Sequence, residues 1–254
     1  MVRRSRALNL LRCPDMQYID MTFPTPQHNL ACDEALVALC EKGYEHEILR
    51  FWEPREHSVV LGYSNRVLSE IDLPACQQNR IPVFRRCSGG GAVLQGQGCL
   101  NYALVLEIPT AGPLSNISAT NAFIMQRHQT AIQQIIGSRV EIQGFTDLVQ
   151  GNLKFSGNAQ YRKRRFLLYH GTFLLQLDLS LMERVLRMPH RQPSYRRNRP
   201  HREFLINLNL RPALVKRALR EAWGAAQLFR DIHLADVEGL AEGRYSSEEW
   251  NFKY

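Results

Sequence analysis

The run Arg85-Arg86-Cys87-Ser88-Gly89-Gly90-Gly91-Ala92-Val93 holds the densest concentration of chemistry in this sequence. Three consecutive glycines ahead of an apolar strand let the backbone approach another group closely and present several amides to it. Arg85 and Arg86 supply fixed forks of N–H donors suited to a carboxylate or a phosphate. The combination suits an anionic ligand or a nucleotide; a turn whose glycines only relieve crowding is the plain alternative. No GxxxxGK[ST] run is present and no GxGxxG follows a strand, so it is neither a Walker loop nor a dinucleotide fingerprint. Cys87 stands directly beside the glycines.

Lys154 is the second candidate. It lies in a strand-like stretch from Asp147 to Gln160 and is followed by Ser156-Gly157-Asn158-Ala159. A lysine trailed by small residues can reach across open backbone toward a ligand, where its ammonium would stabilise charge developing at a carboxyl or phosphoryl group. An isolated lysine beside a turn is ordinarily surface charge. His170, in Tyr169-His170-Gly171-Thr172, stays open between base, ligand donor and satisfied core histidine. The six cysteines, Cys13, Cys32, Cys40, Cys76, Cys87 and Cys99, show neither CxxC pairing nor a histidine at metal-ligand spacing. They are expected to be free thiols, with Cys32 and Cys40 in the core.

The elements that must position these residues follow from apolar periodicity. A helix is expected from about 30 to 41, capped at His28-Asn29 and stopped by Gly43, and a second from 116 to 136, ended by Gly137. Strands are expected at 48–52, 58–62, 81–85, 92–95 and 100–108, and further ones at 147–149, 153–156, 166–169 and 172–177. Residues 181–188 and 215–229 should be helical, with an irregular proline-bearing loop from 189 to 200 between them. Residues 240–254 are weakly patterned and expected as an extension or mobile tail. Strands and helices alternate without a regular βαβ period, which points to an α+β fold with mixed sheets packed by helices.

Composition sets the class. The chain has 254 residues, 44% apolar and 22% charged, which describes an ordinary globular protein with a sizeable core. The start, MVRRSRALNLLRC, is too broken for a secretory core, and no stretch approaches a membrane span, so a cytoplasmic place with no membrane partner is expected. The net charge is +8, and residues 160–203 alone carry eleven Lys or Arg against Asp178, Glu183 and Glu203. That field would steer an acidic partner. Nucleic acid is the weaker reading, because no helix-turn-helix, RNP-like strand or zinc finger accompanies the charge.

Four blocks in order match one pattern. Asn29-Leu30-Ala31-Cys32-Asp33-Glu34-Ala35 resembles the NLAxDEA helix of the lipoate-protein ligase and octanoyltransferase family, within the superfamily that includes biotin-protein ligase. Leu49-Arg50-Phe51-Trp52 with Val60 to Asn65 resembles its next block. Arg85 to Val93 followed by Asn101-Tyr102 resembles its RRxSGGGAV…N-Y signature, and Lys154 with Ser156 to Ala159 and His170-Gly171-Thr172 its KxSGxA…HG[ST] signature. The similarity runs over about residues 28 to 180.

The resemblance implies a biotin/lipoate-protein ligase-like catalytic domain with Lys154 as the catalytic residue. It further implies that Arg85, Arg86, Ser88, Gly89, Gly90, Gly91, Asn101, Gly157, Ala159 and His170 line the ligand. In the ligase branch, ATP, usually with Mg2+, activates lipoate to lipoyl-adenylate, and a lysine of an acidic lipoyl domain then attacks it. The implied acceptors are the lipoyl domains of 2-oxoacid dehydrogenase complexes or the glycine cleavage H protein. The transferase branch uses lipoate or octanoate already carried as a thioester, and in ligase-like transferases a cysteine lies about ten residues before the lysine. Here Glu141 to Asp147 contains none, which favours the ligase, and ATP-independent transfer or a non-catalytic homologue are the rivals. Leu94-Gln95-Gly96 stands where the family commonly has a His-Asp pair, so no metal ligand is assigned. The whole chain, 1–254, is expected to be one catalytic domain with 181–254 as a helical, basic extension. No full accessory domain fits there, so a small accessory protein is a candidate partner.

Overall fold

The computed structural model describes residues 16–254; the N-terminal basic run and Cys13 lie outside the described residues. In chain order the first half contains β1 (Gln17–Asp20), α1 (Pro26–Glu41), β2 (Ile48–Trp52), β3 (Ser58–Leu61), α2 (Val67–Glu70), α3 (Leu73–Gln78), β4 (Val83–Arg85), β5 (Val93–Gln95), β6 (Cys99–Glu107) and α4 (Ile117–Ile136). The second half contains β7 (Glu141–Gln143), β8 (Asp147–Gln150), β9 (Leu153–Arg162), β10 (Phe166–Leu174), α5 (Leu179–Val185), α6 (His201–Phe204), α7 (Pro212–Trp223), β11 (Gln227–Leu228), α8 (Leu234–Leu240) and α9 (Glu248–Asn251). The fold is α+β, with an eight-stranded mixed sheet ordered β11-β1-β2-β6-β10-β9-β8-β7 and a three-stranded sheet ordered β4-β3-β5.

Several boundaries differ from expectation for local reasons. α1 begins at Pro26 because Thr25 is extended (φ −118°) and caps it, and a proline in the first turn loses no helical hydrogen bond. Asn29, expected at the cap, is buried one turn inside, where its side chain bonds Phe23 and Arg50. α4 keeps its expected ends, capped by Asn116 and closed by Gly137 at φ +65°. The expected break at His170-Gly171 does not occur: β10 runs unbroken from Phe166 to Leu174, because two neighbouring strands hydrogen-bond that stretch from both sides.

The large sheet separates two apolar layers. On one face α4 and α7 bring Ile124, Met125, Ile132, Val215, Leu219 and Trp223 onto Leu104, Tyr102 and Tyr169. On the other, α1 and the C-terminal segment bring Leu36, Val37, Phe229, Val237 and Tyr245 onto Ile48, Ala103, Val105 and Leu168. A third cluster lies beside the small sheet and includes Val185 and Phe204. Residues beyond 181 therefore enter all three apolar clusters. The stretch expected as a weakly patterned tail is folded: a π-helical turn (Ala241–Tyr245) leads into α9, and Tyr245 is fully buried.

Candidate functional site

Cross-strand register gathers the predicted residues into two rows on the α1 face. Arg50, Ala103, His170 and Ala159 stand opposite one another across β2, β6, β10 and β9, and Trp52, Asn101, Thr172 and Gly157 form the next row but one. Residues paired across strands share a face, so the two rows make one patch. The glycine turn lies over this patch: a Cβ on Gly90 would sit 3.6 Å from the Ala159 Cβ. Ser88 Oγ lies 2.6 Å from His170 Nε2, and His170 Nδ1 lies 3.3 Å from Asp33 Oδ2 of α1. Asp33 also pairs with the fully buried Arg50. Burial opposes ionisation of Asp33, but Arg50 and His170 outweigh it and hold the carboxyl below its ordinary range.

Lys154 reaches the same patch because β9 carries a bulge. Leu148 pairs with Ser156 while the next residue, Val149, pairs with Lys154, so β9 spends two steps against one on β8. The extra residue, Phe155, turns into the opposite core against Phe173. Simple alternation would have sent Lys154 away from Gly157; the bulge brings it back. A Cβ on Gly157 would lie 2.8 Å from Lys154 Nζ, so the lysine lies across a backbone kept clear by that glycine. Its ammonium pairs with Asp147 Oδ1 at 2.8 Å, and Tyr195 donates to Asp147 Oδ2 at 2.8 Å. The lysine side chain remains 26% exposed.

The two arginines do not face the patch in the way their sequence implies. Arg85 is fully buried and donates through Nη1 to the carbonyls of Gly62, Tyr63 and Asn65, and through Nε and Nη2 to those of Trp250 and Asn251. Arg86 donates to Ser88 Oγ and to the carbonyls of Val60, Gly89 and Gly91. Burial lowers the Arg86 pKa to about 10, which still leaves it charged at neutral pH. Both forks are thus spent on holding the turn. With the Gly89 and Gly91 carbonyls drawn toward Arg86, the turn has amides at Gly89, Gly90 and Gly91 that no acceptor among the described residues takes. These three glycines are exposed. Uncommitted, solvent-facing amides in a row are an anion-binding device in their own right.

Asn101 accepts from Thr172 (2.5 Å) and from Gln95 (3.1 Å), and its own buried Nδ2 has no partner. The thiols are quiet. Burial raises Cys32 and Cys76 to about 11, Cys40 and Cys99 to about 12, and Cys87 further still, with Glu34 adding to it. Among the described residues no group of three or more His, Cys, Asp or Glu side chains could hold a metal, and no helix is long and apolar enough to cross a membrane. Asp33, Asp147 and Tyr195 were not among the residues picked out from sequence. Asp33 lay inside the NLAxDEA block, and Asp147 had a local signal as well: a carboxylate seven residues before a lysine, across a Gly-Asn turn.

The model of the lipoyl protein ligase A/B catalytic domain matches residues 25–214. The chain belongs to that family. An octanoyltransferase, LipM, of Geobacillus kaustophilus is 25% identical over 271 residues, covering 93% of this chain and 98% of the relative. A crystal structure of lipoate-protein ligase A bound with ATP superposes with a TM-score of 0.76 at 25% identity, covering 94% of this chain and 98% of that one. The fold is shared too with a bi-partite lipoate protein ligase, described with its E2 lipoyl domain, from Thermoplasma acidophilum (TM-score 0.77, 24% identity, covering 94% and 95%). Family members of both the ligase and transferase kinds are therefore similar to it, and catalysis of lipoate or octanoate transfer is the general activity of the family.

Proposed function

We propose that this protein is an ATP-dependent lipoate-protein ligase, which forms an acyl-adenylate and passes the acyl group to a lysine of a lipoyl domain. One observation carries the reading: the uncommitted amides of Gly89–Gly91 and the Lys154 ammonium lie on one face, with no ionisable thiol beside them. An acyl-thioester route needs a thiolate, and every described cysteine is buried and raised. An acyl phosphate needs what is present: amides to take phosphate oxygens, and a cation to stabilise the charge that grows on the leaving phosphate. The roles follow from the geometry. Gly89, Gly90 and Gly91 would bind phosphate, Lys154 would bridge the acyl and phosphate oxygens, and Asp147 with Tyr195 would hold the lysine. Ser88, Asn101, Gly157, Ala159 and His170 would line the ligand, while Arg85 and Arg86 support the turn instead of touching the anion. Mg2+ would arrive with the nucleotide, held largely by phosphate and water as that ion prefers.

The acceptor fits the charge. Inner residues of the basic stretch hold the lysine hairpin, since Arg199 donates to the Asn152 carbonyl and Ile206 N donates to the Lys154 carbonyl. Arg187, Arg191, Arg197 and Arg202 of the same stretch remain exposed. An acidic lipoyl domain would dock there and bring its lysine to the acyl group. Octanoyl transfer without ATP is the second reading, favoured by the match to LipM over nearly the whole of that relative's length. The deciding experiment incubates the protein with a lipoyl domain and lipoate with and without ATP, then with octanoyl carrier protein. ATP-dependent mass gain on the acceptor supports the ligase. Gain only from the carrier protein removes it in favour of the transferase.

A further inference from the structure

The C-terminal segment from Ala241 to Tyr254 belongs to no part of the family match, which ends at residue 214, yet it is bonded to the glycine turn from behind. Asn251 is buried, and its Oδ1 accepts the backbone N–H of Arg85 at 2.9 Å. Trp250 Nε1 donates to the Arg85 carbonyl at 2.8 Å. The Arg85 guanidinium returns two bonds, to the carbonyls of Trp250 and Asn251. The backbone N–H and C=O of Arg85, with its Nε and Nη2, are thus engaged by this segment, while Nη1 bonds the carbonyls of Gly62, Tyr63 and Asn65. The segment is itself anchored on α1: Asn251 Nδ2 donates to the Tyr245 carbonyl, the Tyr245 hydroxyl donates to Glu34 Oε2 at 2.8 Å, and Arg244 pairs with Glu34 Oε1.

We infer that Trp250 and Asn251 are positioning residues for the glycine turn, acting through Arg85 as a clasp that fixes where the Gly89–Gly91 amides point. Arg85 spans two strips of carbonyl, one at residues 62–65 and one at 250–251. A close approach makes the first strip matter: a Cβ on Gly62 would lie 2.0 Å from the Gly90 carbonyl oxygen, so the 62–65 turn and the glycine turn are pressed together. Loosening the second strip frees Arg85, and with it the floor on which Gly90 rests. Positioning of donors at the ångström level governs how well they meet developing charge. The effect should therefore fall on turnover more than on binding of the acceptor domain.

The inference rests on the ligand face described above, and its test is arranged so that the two fail separately. Asn251→Ala, Trp250→Phe and Asn251→Asp are compared in the full chain, with Ile132→Ala on the opposite face as a control for general destabilisation. Amide hydrogen exchange is followed at Tyr63 and Arg86, whose N–H groups bond the Ser88 and Leu61 carbonyls. In Asn251→Ala both amides should exchange about tenfold faster, with Leu104 and Tyr169 unchanged. Acyl transfer, from whichever donor the unaltered protein uses, should fall roughly 10- to 100-fold in kcat, with KM for the lipoyl domain within about twofold. Asn251→Asp, which keeps the acceptor for the Arg85 N–H but loses the donor to the Tyr245 carbonyl, should recover part of that loss. Unchanged exchange at Tyr63 and Arg86 in Asn251→Ala overturns the clasp. A loss of transfer that Ile132→Ala reproduces at the same Tm also overturns it. If the unaltered protein transfers from no donor, the functional reading fails and the exchange rates still decide the clasp.

Discussion

Arg85 and Arg86 on one side, and Lys154 on the other, are the conspicuous cations of this molecule, and the structure uses them in opposite ways. The arginines are buried and point their forks at carbonyl oxygens of the chain itself. Among the described residues the lysine has a single carboxylate partner; it keeps a quarter of its side chain in solvent and lies over a glycine that leaves it room. A guanidinium is planar with five donors, and it can draw several carbonyls to one point; an ammonium on a flexible stem cannot. Drawing the Gly89 and Gly91 carbonyls inward leaves the amides of the turn facing solvent. In the proposed site the arginines would act on an anion indirectly, by making the backbone the ligand, and the lysine would act directly.

That division predicts unequal responses to substitution. The largest effect is expected for Lys154→Ala, which should reduce acyl transfer about 10³-fold while far-UV circular dichroism and Tm stay near those of the unaltered protein. Retained transfer would take the lysine out of its role. Next comes Arg86→Lys, which keeps a positive charge and loses the fork. If Arg86 served as a point charge toward phosphate, lysine would substitute well. As a holder of carbonyls it will not, and a roughly 100-fold fall in kcat/KM with a lowered Tm is expected. Gly157→Ala is smaller: the added methyl must displace the end of Lys154, and about a tenfold fall in kcat with unaltered stability should result.

The smallest effect separates the scaffold from the cations. His201 is held near a pKa of about 4 by burial first, then by Arg196 and Lys154, and His128 near about 3 by burial and Arg127. Both lie below the ordinary histidine value of 6.5. Between the folded and unfolded values only the unfolded chain binds the proton, so stability is full above about pH 6.5 and falls as pH drops through the window below it. The slope has a ceiling of about 1.4 kcal/mol per pH unit for each histidine. Urea midpoints at several pH values should show this, and Lys154→Ala should shrink the part that belongs to His201. A profile flat from pH 7 to 5 would contradict the assignment.

The amino-acid sequence carries much of this architecture on its face, and the gaps have physical causes. β2, β6 and α4 were legible because each is strongly apolar or sharply capped. β10 was split in expectation at Gly171, since local reading cannot see that neighbouring strands hold the glycine from both sides. That glycine is there to admit the Asn158 side chain, whose Oδ1 would lie 1.8 Å from an added Cβ. Residues 240–254 read as an extension or mobile tail because their order comes from Glu34 and Arg85, more than 150 residues away in sequence. The ordered motifs come together on one face of the sheet. They misassigned the arginine forks, because a residue type announces what it can donate and says nothing about which acceptors the fold will bring to it. Asp33 and Tyr195 were missed for the same reason, since each meets its partner only through tertiary packing.

The bulge at Phe155 has one more consequence, for insertion and deletion. The facing of Lys154 is set by how many residues lie between it and Gly157, and by the mismatch with the count on β8. Inserting one residue between Phe155 and Ser156 would leave both glycine-bearing signatures, the lysine and its aspartate intact in composition. It would nevertheless turn the ammonium toward the layer that holds Phe173, where a charge is far less tolerable than a phenyl ring. Along this hairpin, function is sensitive to counting in a way that no survey of residue types would reveal.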